Sequence, residues 1–172
     1  SWLRAAVAAL VAHHDALRLR FTRADQGQWQ PFNAAVAEQL GGLHEVELGE
    51  LADARMALAA VAEQAQRSLS LSEGPLLRAV LLRIGVEAEP RLLLVIHHLA
   101  VDGVSWRILL EDLQLAYSQA GRGEQVRLPL KTSSYQQWAA RLTEYADSER
   151  RAADYWSAQP WERAGRLPQD RA

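Results

Sequence analysis

The sequence predicts a mixed α/β fold in which helices pack against a sheet. Three observations predict it. Leu3, Ala6, Val7 and Leu10 recur at helical spacing at the start of the chain. Two almost unbroken apolar runs, LLRAVLLRI (76–84) and RLLLVI (91–96), read as strands covered on both faces. After Gly103 the apolar period returns to that of a helix. Helix and strand periods mixed along one 172-residue chain imply helices layered on a sheet, with length enough for one buried core.

In order, the first helix is expected from about Trp2 to Ala12. LRLRF (17–21) alternates apolar and basic residues, the pattern of a half-buried strand. Asp25-Gln26-Gly27 reads as a hairpin turn into a second strand around Gln28 to Phe32. Gly41-Gly42 then breaks the chain before a short strand, LHEVEL (43–48). Leu51, Ala54, Leu58, Val61, Ala62, Ala65 and Leu69 keep one face of a long helix apolar. Gly74-Pro75 ends that region, and the turn from Gly85 to Pro90 separates the two apolar strands. Leu109, Leu113, Ala116 and Tyr117 mark the helix that ends near Gly121. Ser134 and Gln137 have the spacing of a capping box, opening a helix with Tyr135, Trp138, Leu142 and Tyr145 on one face. Trp138, on that stripe, reads as a structural residue of the kind found in cores. A last helical stretch, from about Asp147 to Ala158, precedes Pro160 and a polar tail.

Composition removes several function classes. The net charge is −2 with no sustained basic run, a poor match to nucleic acid. The chain has no cysteine, which excludes disulfides, thiolate catalysis and cysteine-based zinc sites. No stretch approaches the roughly 18 unbroken apolar residues of a membrane span, and a cytoplasmic location is expected. The Ala/Val-rich start lacks the basic leader and cleavage site of a signal peptide. Without Met at position 1, and starting inside a helical pattern, the chain is expected to be part of something larger.

The chemistry concentrates where the strand 91–96 runs into His97-His98-Leu99-Ala100-Val101-Asp102-Gly103. A strand-to-helix turn holds side chains at the edge of a rigid sheet. An imidazole titrates near neutrality and can take or return a proton at cell pH, and His98 is the residue singled out for that role. Neighbours on an extended segment point to opposite sides, so His97 is read as structural. Asp102 can cap the following helix, hold the turn together or pair with a cation, and Gly103 is either an ordinary turn residue or one that uses the backbone freedom glycine permits. Metal at this motif is not assigned: a third ligand at matching spacing is missing, and there is no HExxH. A Ser-His-Asp hydrolase is a weaker reading still, since no GxSxG elbow exists. Ser105 and Trp106, just beyond the motif, are candidates to line a substrate channel. His13 and His14 are set aside as partners of a helix C-terminus, His44 as a lone strand residue, and Glu111 and Asp112 as exposed charges.

HHLAVDG fits the HHxxxDG signature of the condensation-domain superfamily, whose fold is similar to chloramphenicol acetyltransferase: a two-layer α/β lobe with helices on a mixed sheet. The flanks narrow the resemblance. VIHHLAVDGVSWRILLEDL (95–113) resembles the epimerization domains of nonribosomal peptide synthetases, as does LPLKTSSYQQWAARLTEYA (128–146). HHDALRLRF (13–21) resembles the RHExLRTxF-like motif of the superfamily, with His13 in place of Arg and Leu19 in place of Thr.

The resemblance implies inversion at the α-carbon of an aminoacyl or peptidyl thioester. That substrate rides on the 4′-phosphopantetheine arm of a peptidyl carrier protein, and no cofactor is bound by the domain itself. Two groups flank the substrate in the family, the second motif histidine (here His98) and a Glu from the C-terminal lobe. No position in this chain matches the segment carrying that Glu. Residues 1–172 are thus expected to be a partial N-terminal lobe, lacking its first strand and the C-terminal lobe, and inactive alone. The resemblance also implies an ion pair between Asp102 and Arg18 that shapes the site. Expected partners are the carrier protein, the C-terminal lobe and neighbouring synthetase domains, with neither nucleic acid nor membrane among them. A condensation domain forming peptide bonds, or a non-catalytic carrier-docking module, are the alternatives; Val104-Ser105-Trp106-Arg107 favours epimerization.

Overall fold

The structure, a computed structural model, describes residues 1–24, 27–36, 42–49, 51–85 and 88–165, with the backbone alone at 51–55 and 150–152. The chain divides into two units, Ser1–Pro129 and Leu130–Ala172.

In the first unit, α1 (Trp2–His13) leads through a 3₁₀ turn (Asp15–Arg18) into β1 (Leu19–Arg23). β1 pairs antiparallel with β2 (Trp29–Asn33). β3 (His44–Leu48), α2 (Leu51–Arg67), β4 (Leu77–Ile84), β5 (Arg91–Ile96) and α3 (Gly103–Gly121) follow. The second sheet has the order β3-β4-β5, with β3 parallel and β5 antiparallel to β4. Parallel neighbours cannot be joined by a tight turn, and α2 supplies the long crossover.

Side chains alternate across the central strand. Leu77 and Ala79 face a core built with Ala6, Val7, Leu10 and Val11 of α1 and Leu109, Leu113 and Ala116 of α3. Val80, Leu82 and Ile84 face the other way, against Ala57, Leu58, Val61 and Ala65 of α2. The near-continuous apolar run of β4 follows from this double covering. The mixed α/β class is as the sequence predicts. α1 and α3 cover one face of this sheet and α2 the other.

The largest departure from the sequence reading lies at LRLRF. The strand begins at Leu19, because Leu17 and Arg18 belong to the 3₁₀ turn. The expected alternation of apolar-in and basic-out breaks down: Leu17 is buried at 2% exposed, but Arg18 and Arg20 are also buried, at 7% and 2%, while Leu19 and Phe21 are only half-buried. β1 is stitched to the loop after α2 by a hydrogen bond from the Phe21 amide to the Leu71 carbonyl at 2.8 Å. Gly74 in that loop has φ +72, and the guanidinium of Arg20 occupies the space its Cβ would need.

The predicted Asp25-Gln26-Gly27 turn lies partly outside the described residues; at its margin the Ala24 amide donates to the Gln28 carbonyl at 2.9 Å. Gly41, part of the turn at 85–90, and the end of the polar tail also lie partly or wholly outside them.

The second unit contains α4 (Tyr135–Ser148), α5 (Arg150–Ser157) and a 3₁₀ turn (Trp161–Arg163). The predicted capping box is formed: the Gln137 amide donates to Ser134 Oγ at 3.1 Å, and the Ser134 amide donates to Gln137 Oε1 at 3.0 Å. α5 starts three residues later than expected, because α4 runs on to Ser148. Tyr135, Trp138, Leu142 and Tyr145 share one face of α4, as the spacing predicts, and none of them is buried within the second unit. The 3.6-residue period establishes that these side chains share a face, not that something covers it.

Candidate functional site

β5 ends at Ile96, and the motif leaves it in a tight turn rather than as extended chain. The His97 amide donates to the Leu76 carbonyl at 2.9 Å, continuing the ladder beside β4 by one bond. The His97 carbonyl then accepts from the Ala100 amide at 2.8 Å, closing the turn. His97 Nδ1 accepts from the Leu99 amide at 3.1 Å, which assigns its proton to Nε2. His97 is therefore half-buried and engaged, whereas His98, at the tip of the turn, is exposed. The two imidazoles are separated by the turn and not, as the sequence suggested, by strand pleating.

Val101 anchors the turn from the other side by inserting into the core between the sheet and α3. Asp102 follows as the N-cap of α3. Its Oδ1 accepts from the Ser105 amide at 2.7 Å and from the Ser105 hydroxyl at 2.6 Å. The Ser105 hydroxyl, then its amide, hold the Asp102 carboxyl below its ordinary range, against a smaller opposing desolvation. Ser105 is thus committed to the cap. Trp106 is half-buried and packs against the core cluster.

At this motif one freedom goes unused and one expectation is corrected. Gly103 is an ordinary helical residue without positive φ, and a Cβ there would meet nothing within 4 Å. As the first residue of α3 it needs no special conformation. The Arg18–Asp102 pair is not formed. Arg18 instead bonds Asp15 Oδ1 at 2.6 Å and donates from Nη1 to the carbonyls of Val11 and Ala12 at 2.7 and 2.8 Å. Its Nε donates to the Ala34 carbonyl at 3.3 Å. The last carbonyls of a helix lack partners within it, and a cation there also meets the favourable end of the helix dipole. Arg18 therefore closes α1 and ties it to the segment after β2.

The fold also assembles a cluster that sequence reasoning missed. Asp112 is buried, and its Oδ2 lies 2.8 Å from Nε2 of His14. The available signal was its position: 109, 112, 113 and 116 form the buried stripe of α3, so Asp112 is a charge on an apolar face. Glu111 is exposed as expected and pairs with Arg107 at 3.0 Å.

The condensation-domain family matches this chain over residues 1–172. The chain belongs to that family. Among its relatives, one of the proteins that make up the linear gramicidin synthase of Brevibacillus parabrevis is 51% identical over 157 residues, or 90% of this chain. The match spans 3% of that relative's length. The epimerization domain from the third module of tyrocidine synthetase B superposes with a TM-score of 0.85 at 36% identity, covering 98% of this chain and 38% of the other. The starter condensation domain of rhizomide synthetase gives a TM-score of 0.69 at 25% identity, covering 90% and 37%. Within the condensation-domain family, then, the present chain corresponds to little more than a third of either solved domain. No described helix is long and apolar enough to cross a membrane.

Proposed function

We propose that this chain is the N-terminal part of a nonribosomal peptide synthetase epimerization domain, inverting the α-carbon of a residue held as a thioester on a carrier protein's phosphopantetheine arm. The observation that carries the reading is the likeness to the tyrocidine synthetase epimerization domain, with a higher TM-score, identity and coverage than the starter condensation domain. Val104-Ser105-Trp106-Arg107 after the motif supports the same choice.

The thioester acidifies the α C–H, and inversion requires removal of that proton on one face and its return on the other. His98, exposed at the tip of a turn braced by His97 and Val101, is the base this chain offers. The opposing proton donor comes from outside these residues, so the chain alone does not epimerize. Asp102 and Ser105 hold the start of α3 against the turn and do not touch the reacting atoms.

The test is chiral analysis of an L-aminoacyl carrier protein incubated with the complete domain, with its His98→Ala variant, and with residues 1–172 alone. Formation of the D residue by the complete domain only is expected. Peptide-bond formation with a second loaded carrier, without inversion, would instead support the condensation reading, with which the family match is equally compatible. Carrier binding indifferent to His98, with no turnover in the complete domain, would support a docking module.

A further inference from the structure

The C-terminus of α1 and the buried stripe of α3 bring three donor groups together away from the HHLAVDG turn. One ligand atom each from His13, His14 and Asp112 lies within 4.8 Å of the others. The Asp112 side chain is 10% exposed and that of His14 21%. An ionised carboxylate offers about four acceptor directions, and among the described residues only His14 meets this one. His13, half-buried, stacks edge-on against His14 with ring centroids 5.0 Å apart and makes no hydrogen bond among the described residues. Its imidazole is available to the same point.

We propose that His13, His14 and Asp112 form a binding site for a divalent transition-metal ion of the zinc class. The donor set selects the class: two imidazoles and a carboxylate suit Zn²⁺, Co²⁺ or Ni²⁺, whereas Mg²⁺ and Ca²⁺ take oxygen ligands. Bonds of about 2.1 Å in a tetrahedron place donors about 3.4 Å apart, so the widest separation has to close by about 1.4 Å at most, while the His14–Asp112 pair, at 2.8 Å, has to open by about 0.6 Å. A fourth position stays open to water. The ion would replace the proton now shared between His14 and Asp112, joining α1 to the helix whose first turn Asp102 caps. Its role is a clamp between two helices, independent of the epimerization reading.

The test uses the metal alone. Chain stripped with a chelator is titrated with Co²⁺, and the visible absorption of a four-coordinate site is followed, then its displacement by Zn²⁺. One ion per chain is expected, and saturating Zn²⁺ should raise the melting temperature by about 5 °C. Mg²⁺ should do neither. His13→Asn, at a residue with no hydrogen bond to lose, should keep the metal-free melting temperature while weakening Co²⁺ binding at least tenfold. Asp112→Asn, which keeps the shape and a hydrogen bond to His14, should abolish the Co²⁺ spectrum. No saturable binding in the parent chain would overturn the proposal. So would binding unchanged in His13→Asn, or binding lost in His98→Ala, since either would put the ion elsewhere.

Discussion

Asp102 takes both of its short hydrogen bonds from Ser105, from the backbone amide at 2.7 Å and the hydroxyl at 2.6 Å. The motif aspartate is therefore a helix cap in this chain, and its effect on stability should be that of a cap. Asp102→Ala should lower the melting temperature by a few degrees, and Asp102→Asn, itself a good cap, by less. A loss as large as that of the Arg18 variants below would mean that Asp102 bears a second interaction.

The same contact sets a pH dependence. The folded carboxyl is held below its usual range by Ser105, so its contribution is fully present above the unfolded value near 3.8. It is lost as pH falls through the lower folded value. Comparing melting curves of the parent chain and Asp102→Asn between neutral pH and about pH 3 should therefore show the difference between them shrinking only at the acid end.

Arg18 is predicted to matter far more than Asp102. Arg18→Met leaves the Val11, Ala12 and Ala34 carbonyls without their donor in a buried setting, at a cost of about 3 kcal/mol. Arg18→Lys should rescue little, because one ammonium cannot reproduce the planar fork that reaches three segments. Urea denaturation midpoints of the two variants check this.

Gly74 combines φ +72 with the buried guanidinium of Arg20 where a Cβ would stand. Gly74→Ala should cost about 2 kcal/mol, from backbone strain and displacement of Arg20. At Gly85, also at positive φ but open to solvent, the same substitution should cost less, having strain alone. Paired denaturant titrations separate the two terms.

His97 and His98 should divide cleanly. His98→Ala, at an exposed turn tip, should change stability by about 0.5 kcal/mol or less while removing inversion in the complete domain. His97→Ala gives up the bond from the Leu99 amide and should cost about 1 kcal/mol. Equal stability losses in the two would contradict this description of the turn.

What the sequence by itself determined is what local spacing controls. The apolar runs of β4 and β5, the change of period after Gly103, and the caps at Asp102 and Ser134 act over a few residues and were legible as written. So was the family resemblance carried by the motif and its flanks. Only the tertiary structure decided where Arg18 and Asp112 stand. Arg18 turns to the end of α1 because unsatisfied helix carbonyls lie within reach of its fork. Asp112 is buried because the α3 stripe packs on α1, 98 residues away at His14. Along α4, periodicity states that Tyr135, Trp138, Leu142 and Tyr145 align and cannot state what meets them.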